Sequence, residues 1–223
     1  MGQILYYYFN LDVIWRYLPD MLGGFLVTLS MAALVVVLGI VGGLVLAVLR
    51  AFRVRPLNWL MIFIVDAFRA VPPLVIMVFV YFALPYVGLS LSSFAAATLS
   101  LTLVLMAFAE EIFWAGITSV DRGQWEAARS TGIGFLGTLV SVILPQAVQL
   151  AIPPLTNRAI AITKGTSLAS VIAVQEIINR ASSAQAQAAN PSPLMLGAIL
   201  YLIIFAPLVR GSRWVEARFG RRR

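Results

Sequence analysis

Few side chains in this 223-residue chain are able to do chemistry. It has no His and no Cys, which excludes zinc and haem ligation, disulfides, a thiol nucleophile and a Ser-His-Asp triad. One lysine, Lys164, and a small set of carboxylates and arginines are left. Any chemistry of its own would have to use those groups or hydroxyls alone.

A polar stripe runs through an otherwise apolar stretch. Its members recur at steps of three or four, which places them on one helix face: Gln146, Gln149, Pro153, Asn157, Ile160 and Lys164. Polar groups in apolar segments often mark a solute path. Thr166 and Ser167 could close the outer end of such a path, although hydroxyls commonly bond to carbonyls of their own helix. The sequence leaves open whether this face lines a path or joins helices by polar contacts.

Asp66 and Arg69 lie three residues apart in another apolar stretch. Side chains at this spacing share a helix face, so a self-neutralising pair is the first interpretation. The second hypothesis is that Arg69, held just before a kink at Pro72 and Pro73, binds the α-carboxylate of a substrate. Both interpretations explain why a charge is tolerated there.

Glu110 and Glu111 lie near the end of a third apolar stretch. Arg122 and Arg129 follow in the next loop, and opposite charges are the usual partners for carboxylates in such surroundings. We therefore expect the two glutamates to pair with these arginines, so that Glu111 and Arg129 brace the loop.

The elements that must position these groups are membrane spans. Of all residues 61% are hydrophobic and 11% charged, whereas a soluble domain has about 25% charged residues. A span needs about 20 mostly apolar residues, and the stretches that suit are residues 21–49, 57–84, 91–117 and the shorter 194–209. Residues 139–174 contain Pro153 and Pro154 and are predicted to form one broken crossing. The prediction is an all-α, polytopic membrane protein with about five transmembrane helices in a single domain, residues 1–223.

Arginines are distributed unequally over the predicted loops. Eleven follow the first, third and fifth spans, against Arg16 and Arg180 on the other side. The positive-inside rule therefore places the N-terminus outside and the C-terminus in the cytoplasm. The net charge of +7 is then mainly a topology signal and a contact to anionic lipid, and no nucleic-acid partner is predicted. The first span is too long for a cleaved signal peptide, so we expect it in the mature protein.

Two other stretches give weaker signals. Gly39, Gly43 and Ala47 form a small-residue stripe in the first span, which suits close packing either inside the subunit or at a subunit interface. Residues 180–193 are rich in Ser, Ala, Gln and Asn and are predicted to form an external loop before the last span.

The loop at residues 119–137 contains the most informative pattern. Asp121 is a helix N-cap with Gln124 three residues later, as in a capping box, and Gly132 is typical of the position just past a helix end. The prediction is an extramembrane helix of about ten residues, with Trp125 suited to the interface and two alanines that keep the helix thin. It is either a docking helix for a partner or an interfacial connector.

The same loop resembles a known signature. Residues 126–128 are Glu-Ala-Ala, Gly132 follows, and after nine intervening residues, 142–145 are Val-Ile-Leu-Pro. This order is similar to the Glu-Ala-Ala-x-x-x-Gly-x9-Ile-x-Leu-Pro motif, the EAA motif, of ABC-importer permeases. The departure within the motif is Val142 in place of Ile.

Other segments resemble the polar amino-acid importer subfamily of these permeases. Residues 68–74, Phe-Arg-Ala-Val-Pro-Pro-Leu, are similar to its Phe-Arg-Gly-Thr-Pro-Leu-Leu, and residues 164–168, Lys-Gly-Thr-Ser-Leu, to its Lys-Asp-Thr-Ser-Leu. Trp114, where the subfamily commonly has Arg, and Gly165, where it commonly has Asp, depart from the pattern. These departures put any local ion pair in doubt, but not the fold.

The resemblance implies a type I importer half. The loop helix would be a coupling helix docked on a cytoplasmic ABC ATPase dimer, and it would use Gln124, Trp125, Glu126, Ala127, Ala128 and Gly132. A second permease subunit and an extracytoplasmic substrate-binding protein would complete a bacterial inner-membrane complex that moves a polar amino acid. ATP and Mg would be bound by the partner, because no phosphate-binding loop surrounds Lys164.

Two other functions remain as alternatives. A stand-alone secondary transporter would use Glu110, Glu111 or Lys164 as proton carriers, but we see no internal inverted repeat in the sequence. A non-transporting membrane scaffold would have no use for the polar stripe. The expected substrate-path residues are Arg69, Gln149, Asn157, Lys164, Thr166 and Ser167.

Overall fold

The computed structural model describes residues 6–219. Within that range the chain is helical and has no strand, which confirms the all-α prediction. The helices are α1 Leu11–Ala51, α2 Arg55–Ala70, α3 Pro73–Phe82, α4 Ser93–Ser119, α5 Arg122–Ser130, α6 Phe135–Thr138, α7 Leu144–Thr163, α8 Ile177–Ala188 and α9 Ser192–Phe219. A π-helical turn, Leu139–Ile143, joins α6 to α7, and 3-10 segments occupy Leu84–Val87 and Lys164–Ile172. The predicted basic tail continues through Arg221, Arg222 and Arg223, which lie outside the described residues.

Four helical stretches are long and apolar enough to cross a membrane. They are Tyr6–Ala51, Ser93–Ser119, Phe135–Ile172 and Ser192–Phe219, and the bent pair of α2 and α3 makes five if it counts as one span. The prediction of about five spans is confirmed in this sense. We call the two ends of the bundle the α5 side and the α8 side.

The second predicted span is not one straight helix. α2 and α3 meet at an angle of 104°, because Val71 and Pro72 each precede a proline and take extended conformations that proline favours before it. Near its start α2 donates a hydrogen bond from Asn58 to the carbonyl of Arg50 (3.0 Å), and near its end Arg69 contacts Glu111 of α4. Both ends of α2 therefore lie near the α5 side.

The close packing of α1 on α4 organises the core. A Cβ added at Gly39 would lie 2.8 Å from Leu105, and one at Gly43 would lie 2.5 Å from the Cβ of Ala109. Ala47 of the same stripe is fully buried. Of the two interpretations of the small-residue stripe, packing inside the subunit is therefore the one that the structure shows.

α7 differs from the predicted break at the prolines. The helix runs without interruption through Pro153 and Pro154, and the change of geometry comes at Lys164, where the 3-10 segment begins. Since proline has no N–H, the carbonyls of Gln149 and Leu150 receive no helical hydrogen bond from these positions. The prolines thus leave free acceptors on α7 without breaking it.

The predicted external loop contains helix α8. Its N-cap is Glu176, which is fully buried and accepts hydrogen bonds from the backbone N–H groups of Ile178 and Asn179 and from the hydroxyl of Tyr201 (2.6 Å). Burial raises the pKa of the Glu176 carboxyl, and these three hydrogen bonds oppose that rise. Ala181 and Ala184 face inward, so α8 packs closely on α1 and α9.

The α1–α4 contact makes a direct test of this packing possible. Gly43→Ala should lower the free energy of unfolding by about 1–3 kcal/mol, because the new methyl group would meet Ala109 and the backbone of Met106 and Glu110 within 3 Å. Chemical unfolding of the purified chain in detergent micelles measures this change.

The matched control is Gly211→Ala in α9. A Cβ at Gly211 meets nothing within 4 Å, so this variant should be as stable as the original chain or slightly more stable, since Ala favours helices. Equal stability of the two variants would show that α1 and α4 are not in close contact.

Candidate functional site

Helix α5 forms as the capping pattern predicts. The carboxylate of Asp121 accepts a hydrogen bond from the N–H of Gly123 (2.6 Å), and Gly132 follows the helix end with a positive φ of 84°, a conformation that glycine adopts without strain. Gln124 does not complete the capping box among the described hydrogen bonds. Its side chain instead accepts a hydrogen bond from Gln146 of α7, at 3.5 Å.

The two sides of α5 have different surroundings. Ala128 is buried against the bundle, and the ring of Trp125 stacks on Phe135 with centroids 5.6 Å apart. Gln124, Glu126, Ala127 and Arg129 are exposed. The helix is thus anchored by one side and presents small and polar side chains on the other, which is a shape suited to docking.

A network of charges joins α1, α2 and α4 near the α5 side. Arg50 contacts both carboxylate oxygens of Glu110, at 3.0 and 3.2 Å, and the side chains of Arg50 and Glu110 are only 13% and 1% exposed. Glu111 is shared between Arg50 (3.6 Å) and Arg69 (3.3 Å). Arg69 also contacts Asp66 at 3.1 Å, so the predicted Asp66–Arg69 pair is confirmed and extended.

The predicted pairing of Glu110 and Glu111 with the loop arginines is wrong. Glu111 lies eight residues before the end of α4 at Ser119, which is about 12 Å along a helix. Arg129 belongs to α5, beyond that end, whereas Arg50 and Arg69 lie beside the glutamates. The ion pairs therefore brace the bundle itself and not the loop.

Aromatic rings enclose this network. The guanidinium of Arg158 lies over the ring of Phe108 at 3.8 Å, and that of Arg69 lies 5.6 Å from the same ring. Arg50 lies 4.6 Å from the ring of Trp114. Position 114 is commonly Arg in the subfamily that the sequence resembles. The face of Trp114 attracts the Arg50 cation, which a second arginine would repel. Arg50, Arg158 and Phe108 were not among the predicted site residues.

The polar face of α7 is exposed on this subunit. Gln149, Asn157 and Lys164 are all exposed, and Asn157 donates a hydrogen bond to Glu216 near the end of α9. Lys164 lines a groove of about 790 Å³ together with α9 residues. Among the α9 side chains in this groove are Tyr201, Phe205, Arg210 and Arg213.

Thr166 and Ser167 do not join that face as predicted. Thr166 is fully buried and donates to the carbonyl of Thr163 at 2.8 Å, while Ser167 donates to the carbonyl of Lys164 at 3.0 Å. The 3-10 geometry brings each hydroxyl onto a carbonyl three residues back. Hydrogen bonds to carbonyls of the same helix were the second interpretation of these two hydroxyls.

The described residues contain no group of three or more acidic side chains arranged to hold a metal ion.

Over residues 39–221 the sequence matches the family described as binding-protein-dependent transport system inner membrane components. The chain belongs to this family. The permease is thus a multi-pass inner-membrane protein with the type I ABC importer fold.

Similar proteins cover nearly the whole permease. It is 38% identical over 199 residues to the probable glutamine ABC transporter permease protein GlnP of Bacillus subtilis (strain 168), which covers 87% of this chain and 91% of that protein. It is 35% identical to the L-cystine transport system permease protein TcyB of the same organism, over 91% of this chain and 88% of that one.

A solved structure agrees with the fold. The crystal structure of an amino acid ABC transporter with histidines superimposes with a TM-score of 0.82 at 28% identity, over 92% of this chain and 96% of that chain. A similar protein with this overall fold has therefore been solved experimentally. ABC importer permease function is supported over the secondary-transporter alternative.

The charge network predicts unequal costs for its members. Glu110→Ala should destabilise the permease by at least about 3 kcal/mol, because it leaves the largely buried Arg50 without its main partner. Asp66→Ala should cost less than about 1 kcal/mol, since the Asp66 side chain is 61% exposed and surface pairs contribute little. Chemical unfolding of both variants in the same detergent measures the difference. If the two substitutions cost the same, the buried pair has no special role.

Proposed function

We propose that this permease moves a polar amino acid into the cytoplasm, driven by ATP hydrolysis on a partner subunit. The observation that carries the proposal is α5: a capped, thin helix anchored by Trp125 and Ala128, which carries the EAA residues and is otherwise exposed. In the proposed complex, α5 docks on a dimer of ABC ATPases. Movement of the ATPases on binding ATP is then transmitted to α4, which precedes α5 in the chain, and through α6 to α7.

The proposed division of labour leaves nucleotide chemistry to the partner. The permease sequence contains no phosphate-binding loop, so ATP and Mg would be bound by the ATPase and this chain would not be an enzyme. Gln124, Glu126 and Ala127 would contact the ATPase directly. Gly132 would end the helix, and Ala128 would hold it on the bundle.

The proposed orientation places the α5 side in the cytoplasm. The distribution of arginines over the loops supports this orientation, because short loops that are rich in Lys and Arg stay on the cytoplasmic side of the membrane. The α8 side would then be extracytoplasmic and would meet a substrate-binding protein.

The proposed solute path follows the exposed face of α7. Gln149 supplies an amide beside carbonyls freed by the prolines, and Lys164 supplies a cation beside Tyr201 in the groove. A second permease subunit, either another copy or a paralogue, would cover this face and complete the path. Arg69 forms ion pairs with two carboxylates. We therefore propose a structural role for it in the wall of the path before a role in substrate binding.

The names of similar permeases support the substrate class. One is described as a probable glutamine permease and another as an L-cystine permease, and all amino acids share an α-carboxylate that a lysine can bind. The proposed substrate is therefore a polar amino acid whose carboxylate contacts Lys164.

Coupling through α5 is tested by enlarging its exposed face. Ala127→Arg should abolish co-isolation of the ATPase and amino-acid uptake, because a long charged side chain would not fit a cleft shaped for a thin helix. The permease itself should fold normally, since Ala127 is exposed. Affinity purification from membranes, followed by uptake assays in proteoliposomes, measures both effects.

The matched control is Ala186→Arg, the same change at an exposed alanine of α8. This variant should retain the ATPase, because α8 lies on the opposite side of the membrane. Normal ATPase binding by the Ala127→Arg permease would remove α5 from the interface.

The role of Lys164 is tested separately from coupling. Lys164→Gln should lower uptake at least about tenfold, the usual effect of losing a hydrogen bond to a charged group, while ATPase co-isolation stays normal. The control Lys164→Arg keeps a positive charge in the groove and should retain most of the uptake. Unchanged uptake by the Lys164→Gln permease would exclude this lysine from the path, without affecting the ABC assignment.

A further inference from the structure

A pocket beside α5 shares only Glu126 with the contacts that the proposed transport mechanism uses. It is half open, has a volume of about 610 Å³, and lies where the ends of α1 and α4 meet α5. This volume is in the range of small-molecule sites. The pocket is separated from the exposed face of Gly123 and Ala127, which lies on the other side of α5.

Three arginines give the pocket a basic rim. Arg53, Arg122 and Arg129 line it together with one carboxylate, Glu126. Among residues 6–219 none of these arginines forms an ion pair, so the rim has an unbalanced charge of about two units. Arg53 also has a φ of 56°, a conformation that is unfavourable for a residue with a Cβ. An anion is the partner that this rim lacks.

The interior of the pocket is apolar and aromatic. Ala51, Ile117 and Val120 form buried walls. The rings of Trp114, Trp125 and Phe135 line the rest. A bare phosphate ion would gain nothing from these surfaces, whereas the glycerol and upper acyl carbons of a lipid would bury against them.

The side chains beside the pocket are of the kinds found at the depth of lipid headgroups. α2 starts at Arg55, two residues after Arg53, and carries Trp59 and Phe63, which are 79% and 73% exposed. Exposed aromatic side chains next to arginines are typical of the interface between acyl chains and headgroups. Basic pockets at this depth on the cytoplasmic side bind the headgroups of anionic lipids.

We propose that this pocket binds the phosphate of an anionic phospholipid, with Arg53, Arg122 and Arg129 around the phosphate and the aromatic rings against its glycerol backbone. The lipid would come from the leaflet on the α5 side. Because the same pocket includes Trp125 of α5 and the end of α4, a bound lipid would hold the coupling helix on the bundle.

The test is lipid binding by the purified, delipidated full chain. Native mass spectrometry is used to titrate phosphatidylglycerol and phosphatidylcholine with identical acyl chains. The original chain should bind phosphatidylglycerol at least about tenfold more tightly than phosphatidylcholine. Arg53→Gln with Arg129→Gln should weaken phosphatidylglycerol binding about 25-fold, at about fivefold for each basic residue, and should weaken phosphatidylcholine binding less, because the choline cation already offsets the charge of its phosphate.

A matched variant controls for total charge. Arg55→Gln with Arg218→Gln removes two exposed arginines from the same side of the membrane but outside the pocket, and it should bind phosphatidylglycerol like the original chain. If the pocket variant has a lowered melting temperature, the single variant Arg122→Gln is used in its place, because Arg122 is exposed. Its affinity for phosphatidylglycerol should fall about fivefold.

Four results would overturn the proposal. The first is that the pocket variant binds phosphatidylglycerol normally, and the second is that the control variant loses as much affinity as the pocket variant. The third is that inorganic phosphate binds the original chain as tightly as the lipid does, which makes soluble phosphate the ligand. The fourth is that the pocket variant loses ATPase co-isolation while its lipid affinity is unchanged, which makes the pocket part of the ATPase interface.

Discussion

The ion pair between Arg50 and Glu110 is the contact on which the arrangement of the helices depends. Both side chains lie in largely dry surroundings, where an unpaired charge is strongly unfavourable. Arg50 is therefore tied to α4, and through the shared Glu111 the same contact fixes Arg69 at the end of α2. The glycines of α1 permit the close approach that brings these charges within reach. Small residues and a buried charge pair thus determine one register between α1 and α4.

Much of the fold could be predicted from the sequence, because long apolar stretches have few alternatives to helices that cross a membrane. The kink between α2 and α3 was predicted at Pro72 and Pro73, but its angle of 104° was not, since a proline pair signals a break and not its size. At Pro153 and Pro154 the sequence predicted a break, but α7 continues through both residues. Helix α8 was predicted as a loop because its polar composition was given more weight than its inward-facing alanines, Ala181 and Ala184, which pack only in the tertiary structure.

The candidate site was predictable where local rules decide it. The cap at Asp121 and the left-handed Gly132 depend on neighbours in sequence, and both were confirmed. The partners of Glu110 and Glu111 depend on which helices are adjacent, and proximity along the chain pointed to the wrong arginines. For the same reason the sequence did not bring together Arg50, Trp114, Phe108 and Arg158. Hydroxyls such as that of Thr166 bond to their own helix regardless of a nearby polar stripe.

In the proposed complex, α5 connects this permease to ATP hydrolysis on a partner subunit. This coupling is tested most directly by amino-acid uptake into proteoliposomes that contain the permease with its co-isolated ATPase and substrate-binding protein. We expect uptake only when ATP is present on the α5 side, and no uptake when a proton gradient is imposed without ATP. Uptake driven by the proton gradient alone would contradict it.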